Sequence, residues 1–161
     1  MEAPEQQEIA VRKQVRVKAP IDRTFSAFVE QMETWWPPTH HIAPEPFQAI
    51  FVEPRAGGRW YERDAQGNHC TWGHVLAWNP PHQVMLSWHL GPDWKFNPDV
   101  SKASEVEIRF TSEGPASTFV ELTHSKLERH GEGYEQFRSA LDGPGAWESI
   151  LASFAGTLEK Q

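Results

Sequence analysis

With 161 residues, 39% hydrophobic and 23% charged, the chain has the balance of one globular domain able to bury a substantial core. A formal net charge of -7 argues against nucleic acid and against anionic membrane surfaces, since both reward positive patches. The lone Cys70 excludes an intrachain disulfide, MEAPEQQE is unlike a secretory leader, and no apolar run approaches the ~20 residues of a membrane span, so a soluble cytoplasmic protein is expected.

Residues 1–7 lack apolar anchors and are expected to be a disordered tail, leaving a single domain over 8–160. Next, Ile9, Val11, Val15 and Val17 alternate with Arg12, Gln14, Arg16 and Lys18, the pattern of a strand with one wet face. Pro20 ends it and pre-sets the first turn of a helix. There Ile21, Phe25, Phe28, Val29 and Met32 recur at helical spacing until Trp35-Trp36-Pro37-Pro38 stops it. Six short strand-like runs follow, at Phe47–Val52, Arg59–Arg63, His69–Trp78, Val84–Leu90, Ser104–Thr111 and Thr118–Ser125. Their connectors are short and rich in Gly, Pro and Asn, which favours hairpins and an antiparallel meander. Gly91–Lys102, carrying Trp94 and Phe96, is the one long loop among them.

Tyr134, Phe137 and Leu141 then share a helical stripe, Gly143-Pro144-Gly145 interrupts it, and Trp147, Ile150, Leu151, Phe154 and Leu158 resume it. Burying those last five side chains is worth roughly 7–15 kcal/mol before ordering entropy is subtracted. Such a helix must lie on something large and apolar, and the inward face of the meander is the candidate. The expected class is α+β: a curved antiparallel sheet of about seven strands around a long C-terminal helix.

The chain resembles the activator of heat-shock-protein-90 ATPase homologue family, within the helix-grip superfamily of START, lipid-transfer, pollen-allergen and polyketide-cyclase domains. The likeness is carried by Ala19-Pro20, Trp35-Trp36, Pro54-Arg55-Ala56-Gly57-Gly58, Gly67 and Gly73-His74-Val75. It continues through Asn79-Pro80-Pro81, Leu86-Ser87-Trp88, Ser104-Glu105-Val106 and Gly145-Ala146-Trp147, and spans residues 9–159. The resemblance implies a fold whose members hold hydrophobic ligands under the last helix or act as small partner proteins, with a few enzymes among them. The eukaryotic chaperone activators of this kind carry an additional N-terminal domain, for which 161 residues leave no length.

Eight tryptophans exceed what a solid core of this size needs, so the surplus aromatic surface points to a lined pocket, a sticky patch or both, with a packed core without a cavity as the alternative. Candidate ligand-lining residues are Trp36, Phe51, Trp60, Trp72, His74, Trp88, His124, Trp147, Leu151 and Phe154. The register of the third run leaves open whether Trp72 or the Gly73/Val75 pair faces inward. Trp94 and Phe96 form either a portal flap or a contact surface for a protein partner or a second copy.

Polar chemistry is sparse. Gly57-Gly58 reads as a turn, and Gly73 within a strand marks a bulge or a close approach. His40 and His41 adjoin in a loop, and His69 and His74 are five apart on one strand, so neither pair has metal-ligand spacing; no metal and no cofactor are expected. Cys70 is expected to be a small buried hydrophobe, its neighbour His69 pointing to the opposite face. Glu62, Glu105, Glu107 and Glu121 alternate with apolar residues and are expected to face water. No catalytic residue stands out, although a pocket carboxylate with His74 or His124 could move a proton. A hydrophobic or aromatic small-molecule binder is the leading expectation; a co-chaperone-like module and a cyclase- or hydrolase-like enzyme are the alternatives.

Overall fold

The computed structural model describes residues 10–37, 47–91 and 95–159. Seven strands, β1 (Val11–Val17), β2 (Phe47–Val52), β3 (Arg59–Asp64), β4 (His69–Asn79), β5 (Gln83–Trp88), β6 (Ser104–Ser112) and β7 (Thr118–Ser125), form one antiparallel sheet. Their spatial order is β1-β7-β6-β5-β4-β3-β2, so every neighbour but β1 is a sequence neighbour, as in a meander. The sheet curls into a half-barrel.

Helices α1 (Ile21–Glu30) and α2 (Met32–Trp35) close one side, and α3 (Tyr134–Asp142) leads into α4 (Trp147–Glu159), gripped by the sheet. At 1.5 Å per residue α4 is about 20 Å long. It buries Trp147, Ile150, Leu151, Phe154 and Leu158, the stripe expected from their spacing. Phe154 meets Phe28 of α1 at 5.2 Å and Trp35 of α2 at 4.9 Å, edge to face. Phe25 and Phe28 in turn abut Phe110 of β6.

The first helix breaks one turn earlier than its periodicity suggests. Gln31 leaves the helical region at φ -127 and ψ 30, and the Trp35 indole N–H donates to the Ala27 carbonyl at 3.0 Å. The same carbonyl also accepts the Gln31 backbone N–H at 3.3 Å, so the indole adds a second donor at the helix end. Ser153 ties the break to α4 by donating to the Trp35 carbonyl at 2.6 Å.

Parity decides what faces the grip. Val84, Leu86 and Trp88 of β5, Val106, Ile108 and Phe110 of β6, and Val120, Leu122 and His124 of β7 are buried, as alternation requires. In β4 the parity inverts. Register shifts at Trp60/Tyr61 of β3 and at Val75/Ala77 mark bulges, and both Trp72 and Val75 are about 1% exposed. Trp72 and Val75 therefore both turn inward, where the sequence offered one or the other. A Cβ on Gly73 would stand 1.7 Å from the Ser87 carbonyl oxygen, so no larger residue fits while β4 and β5 stay paired here.

Candidate functional site

Inside the curl, five indoles from five separate places meet. Trp36 follows α2, Trp60 lies on β3, Trp72 on β4, Trp88 on β5, and Trp147 opens α4; none is more than 4% exposed. Trp36 touches Trp72, Trp147 and Trp60 at centroid distances of 4.9, 5.8 and 6.3 Å. Trp60 touches Trp72 at 5.2 Å and Trp88 at 5.6 Å, and Trp88 touches Trp147 at 5.5 Å. Most pairs are edge to face, the arrangement the ring quadrupole favours.

Two buried polar groups enter this box. Glu62 is 0% exposed, and one of its carboxylate oxygens accepts the Trp72 indole N–H at 2.9 Å. The expectation that Glu62 faces water is corrected: it shares parity with Trp60, so an inward Trp60 carries Glu62 inward too. Asp64, next on that face, accepts from the Asn68 side-chain amide above all and from the Asn68 and Gln66 backbone N–H groups, which hold its carboxyl below the usual range despite burial.

His124 is the second group. It lies 5.3 Å from Trp88 and 5.9 Å from Trp147, centroid to centroid. The Trp147 N–H donates to Nδ1 of His124 at 3.0 Å, and Nε2 lies 2.7 Å from the Ser104 hydroxyl. An indole nitrogen only donates, so Nδ1 accepts and the ring proton sits on Nε2. Burial, with a smaller contribution from His130, pushes the His124 pKa down to about 3. His124 is therefore a neutral imidazole at ordinary pH.

The Ser104 hydroxyl also lies 2.7 Å from Nε2 of His130, the last residue of a 3-10 turn, Leu127–His130. Lys126 before that turn adopts φ 60, a left-handed conformation uncommon outside glycine, and so folds His130 back over the end of β6. Lys126 and Arg129 both pair with Glu105 at 3.2 and 3.4 Å, holding the turn. His130 also lines an outer cleft of about 510 Å3 with Lys95, Phe96, Lys102 and Glu132. Sequence reasoning found His124 and missed Ser104 and His130. Ser104 shares parity with Val106, Ile108 and Phe110 and was legible as a buried hydroxyl; His130 depends on the backbone turn.

A second polar cluster lies on the outer face. The His89 Nδ1–H donates to the Asn97 carbonyl at 2.7 Å, and its Nε2 lies 2.8 Å from the Ser87 hydroxyl, which accepts the His74 backbone N–H at 2.9 Å. Burial above all lowers the pKa of His89. Phe96 stacks on His89 at 5.1 Å and is 37% exposed. This cluster pins the long loop to the sheet.

Of the ten residues expected to line an interior, Trp36, Trp60, Trp72, Trp88, His124, Trp147, Leu151 and Phe154 are buried inside the curl. Phe51 and His74 are not there. Phe51 is half-buried and stacks on Tyr61 at 5.0 Å beneath Arg63, and His74 faces His89 at 5.4 Å. Trp94, His40 and His41 lie outside the described residues. Among the described residues no three His, Cys, Asp or Glu side chains are grouped to hold a metal ion, and no helix is long and apolar enough to cross a membrane. Cys70 is half-buried, and burial followed by the Glu62 and Asp64 charges raises its thiol pKa.

A search of curated proteins finds no match. Among solved structures, the chain is 39% identical to an anthrahydroquino-gamma-pyrone synthase, Txn09, over 96% of this chain and 99% of that one, with a TM-score of 0.66. It is 27% identical to CalC of Micromonospora echinospora, a self-sacrificing resistance protein, over 94% of each chain with a TM-score of 0.69. The Aha1 dimer of Colwellia psychrerythraea shares the fold at 16% identity, 93% and 96% coverage and a TM-score of 0.60. The family model for Activator of Hsp90 ATPase homolog 1-like protein matches residues 18–159. This chain, a half-barrel sheet gripping its C-terminal helix, belongs to that family.

Proposed function

We propose that this helix-grip domain binds a flat, fused-ring aromatic small molecule among the five indoles. The observation that carries this reading is their mutual contact: the rings meet by edges as well as faces, with centroids 4.9–6.3 Å apart. A flat guest entering the cluster exchanges edge contacts for stacked ones at little cost in apolar burial. Trp36 is the ring that gives way, because it lies beyond the end of α2 on extended backbone while Trp60, Trp72 and Trp88 are fixed in the sheet. Glu62 and His124 supply the few polar points that orient a ligand in such a site. The name of the 39% identical synthase supports a polycyclic oxygenated guest.

A second reading is supported by the same relative and by His124. A neutral buried imidazole beside a hydroxylated aromatic ring is placed for proton transfer in ring-forming chemistry.

Quenching of intrinsic fluorescence tests the first reading. 1,8-Dihydroxyanthraquinone should quench the indoles saturably, palmitate should not, and Trp36→Ala should change the dye affinity at least about tenfold. An equal response to palmitate, or none to the dye, removes the aromatic-guest reading.

A further inference from the structure

We propose that Ser104 and His130 form a proton relay that lets buried His124 deprotonate a phenolic guest without becoming charged, delivering the proton to the outer cleft. This rests on the aromatic-guest reading above and assigns its substrate class, a phenol or enol. It also assigns roles to two residues outside the aromatic box.

The difficulty it resolves is physical. Burial disfavours an imidazolium at His124, so the ring alone is a poor base. The hydrogen bonds supply another route. Trp147 donates to Nδ1, Nε2–H donates to Ser104 Oγ, and the Ser104 proton is then directed at Nε2 of His130, 2.7 Å away. Trp147 makes at Nδ1 the hydrogen bond that a phenolic O–H would make. When a guest hydroxyl takes that place, its O–H bond breaks with the electron pair left on oxygen, and the proton bonds to Nδ1. The Nε2 proton moves to Ser104, whose own hydroxyl proton moves to Nε2 of His130. The guest becomes a phenolate and His130 an imidazolium. His124 changes tautomer and stays neutral, and Ser104 is regenerated.

The surroundings suit those charge states. His124 is packed by Trp88, Trp147 and Ser104, all uncharged, and Glu62 is engaged with Trp72. His130 is half-buried, packs on Phe137 of α3 at 5.2 Å, and shares its cleft with Glu132, Lys95 and Lys102. Beside it Glu105 is held by Lys126 and Arg129. Ser104 accommodates both states of His130. It donates to the neutral ring; beside the imidazolium it accepts, and its hydroxyl turns to the Trp88 carbonyl at 3.4 Å.

Two measurements decide the matter. In 15N-histidine NMR between pH 8 and 5, His124 should show the Nε2–H tautomer, and its Nε2–H resonance should shift along the His130 titration curve. Ser104→Ala should abolish that linked shift while His130 still titrates. A proton on Nδ1 of His124, absence of the link, or its survival in Ser104→Ala overturns the relay. The second readout is the absorbance of bound 1,8-dihydroxyanthraquinone. Its ionisation constant should rise at least about tenfold on binding, equivalent to about 1 pH unit. Ser104→Ala and His130→Gln should keep dye affinity within about threefold and lose that gain. An unchanged gain in both variants overturns the relay. Failure of the wild-type protein to bind the dye sinks the aromatic-guest reading instead, and the histidine linkage then judges the relay on its own.

Discussion

The Trp147 indole N–H, at the first residue of α4, donates to Nδ1 of His124 on β7, and this contact couples helix docking to the tautomer of a buried histidine. Trp147→Phe keeps most of the ring burial and deletes only the donor, leaving Nδ1 an unsatisfied buried acceptor. The expected loss is about 2 kcal/mol, read as a lower urea midpoint with unchanged slope. An unchanged midpoint would mean that the contact contributes nothing to docking α4.

Acid should expose the same residue. An unfolded imidazole takes up a proton near pH 6.5, whereas folded His124 resists until about 3. Between those values the unfolded chain binds more protons, so stability falls as pH falls. The single group accounts for roughly 5 kcal/mol across the whole window. His89, also lowered by burial, acts in the same direction. His124→Gln retains an acceptor for Trp147 and a donor for Ser104 but does not titrate. Urea titrations at pH 7, 6, 5 and 4 should show a flatter acid limb for that variant.

Gly73 leaves no room for a side chain between β4 and β5. With the Ser87 carbonyl oxygen 1.7 Å from where its Cβ would stand, Gly73→Ala must push β4 and β5 apart. A cost of about 3 kcal/mol is expected, lowering Tm by roughly 10 °C. The neighbouring Ser87–His89 bond should also loosen, giving faster amide exchange at Asn97, whose N–H donates to the His89 carbonyl.

Cys70 should behave as an inert thiol. Burial and the nearby Glu62 and Asp64 charges raise its pKa, so little thiolate forms. At pH 8 its alkylation by iodoacetamide should be at least about tenfold slower in the native protein than in urea. Equal rates would show that the thiol is open and unperturbed.

By contrast, the surface pair Arg16–Glu113 at 2.9 Å lies on an exposed edge. Glu113→Ala should change stability by no more than about 0.5 kcal/mol, measured by urea unfolding in low and high salt.

The amino-acid order by itself determined the seven strands, the gripped final helix and most inward positions. Alternation and helical spacing are local properties, legible wherever no bulge intervenes: Val84-x-Leu86-x-Trp88 and the Trp147–Leu158 stripe needed no partner to be read. Where β4 bulges, parity inverts, and only the paired strands could show that Trp72 and Val75 both turn inward while His74 faces out; Phe51 faces out on β2 opposite Tyr61, between buried Ile50 and Val52. Glu62 could have been placed by its parity with Trp60; His130 could not. Its approach to Ser104 joins residues 26 apart through strand register and one left-handed Lys126, and hydrogen bonds of that range are set by how the elements dock. Tertiary structure alone therefore decided that His130 reaches Ser104 and, through it, His124, because a side chain's partner depends on the whole path of the backbone between them.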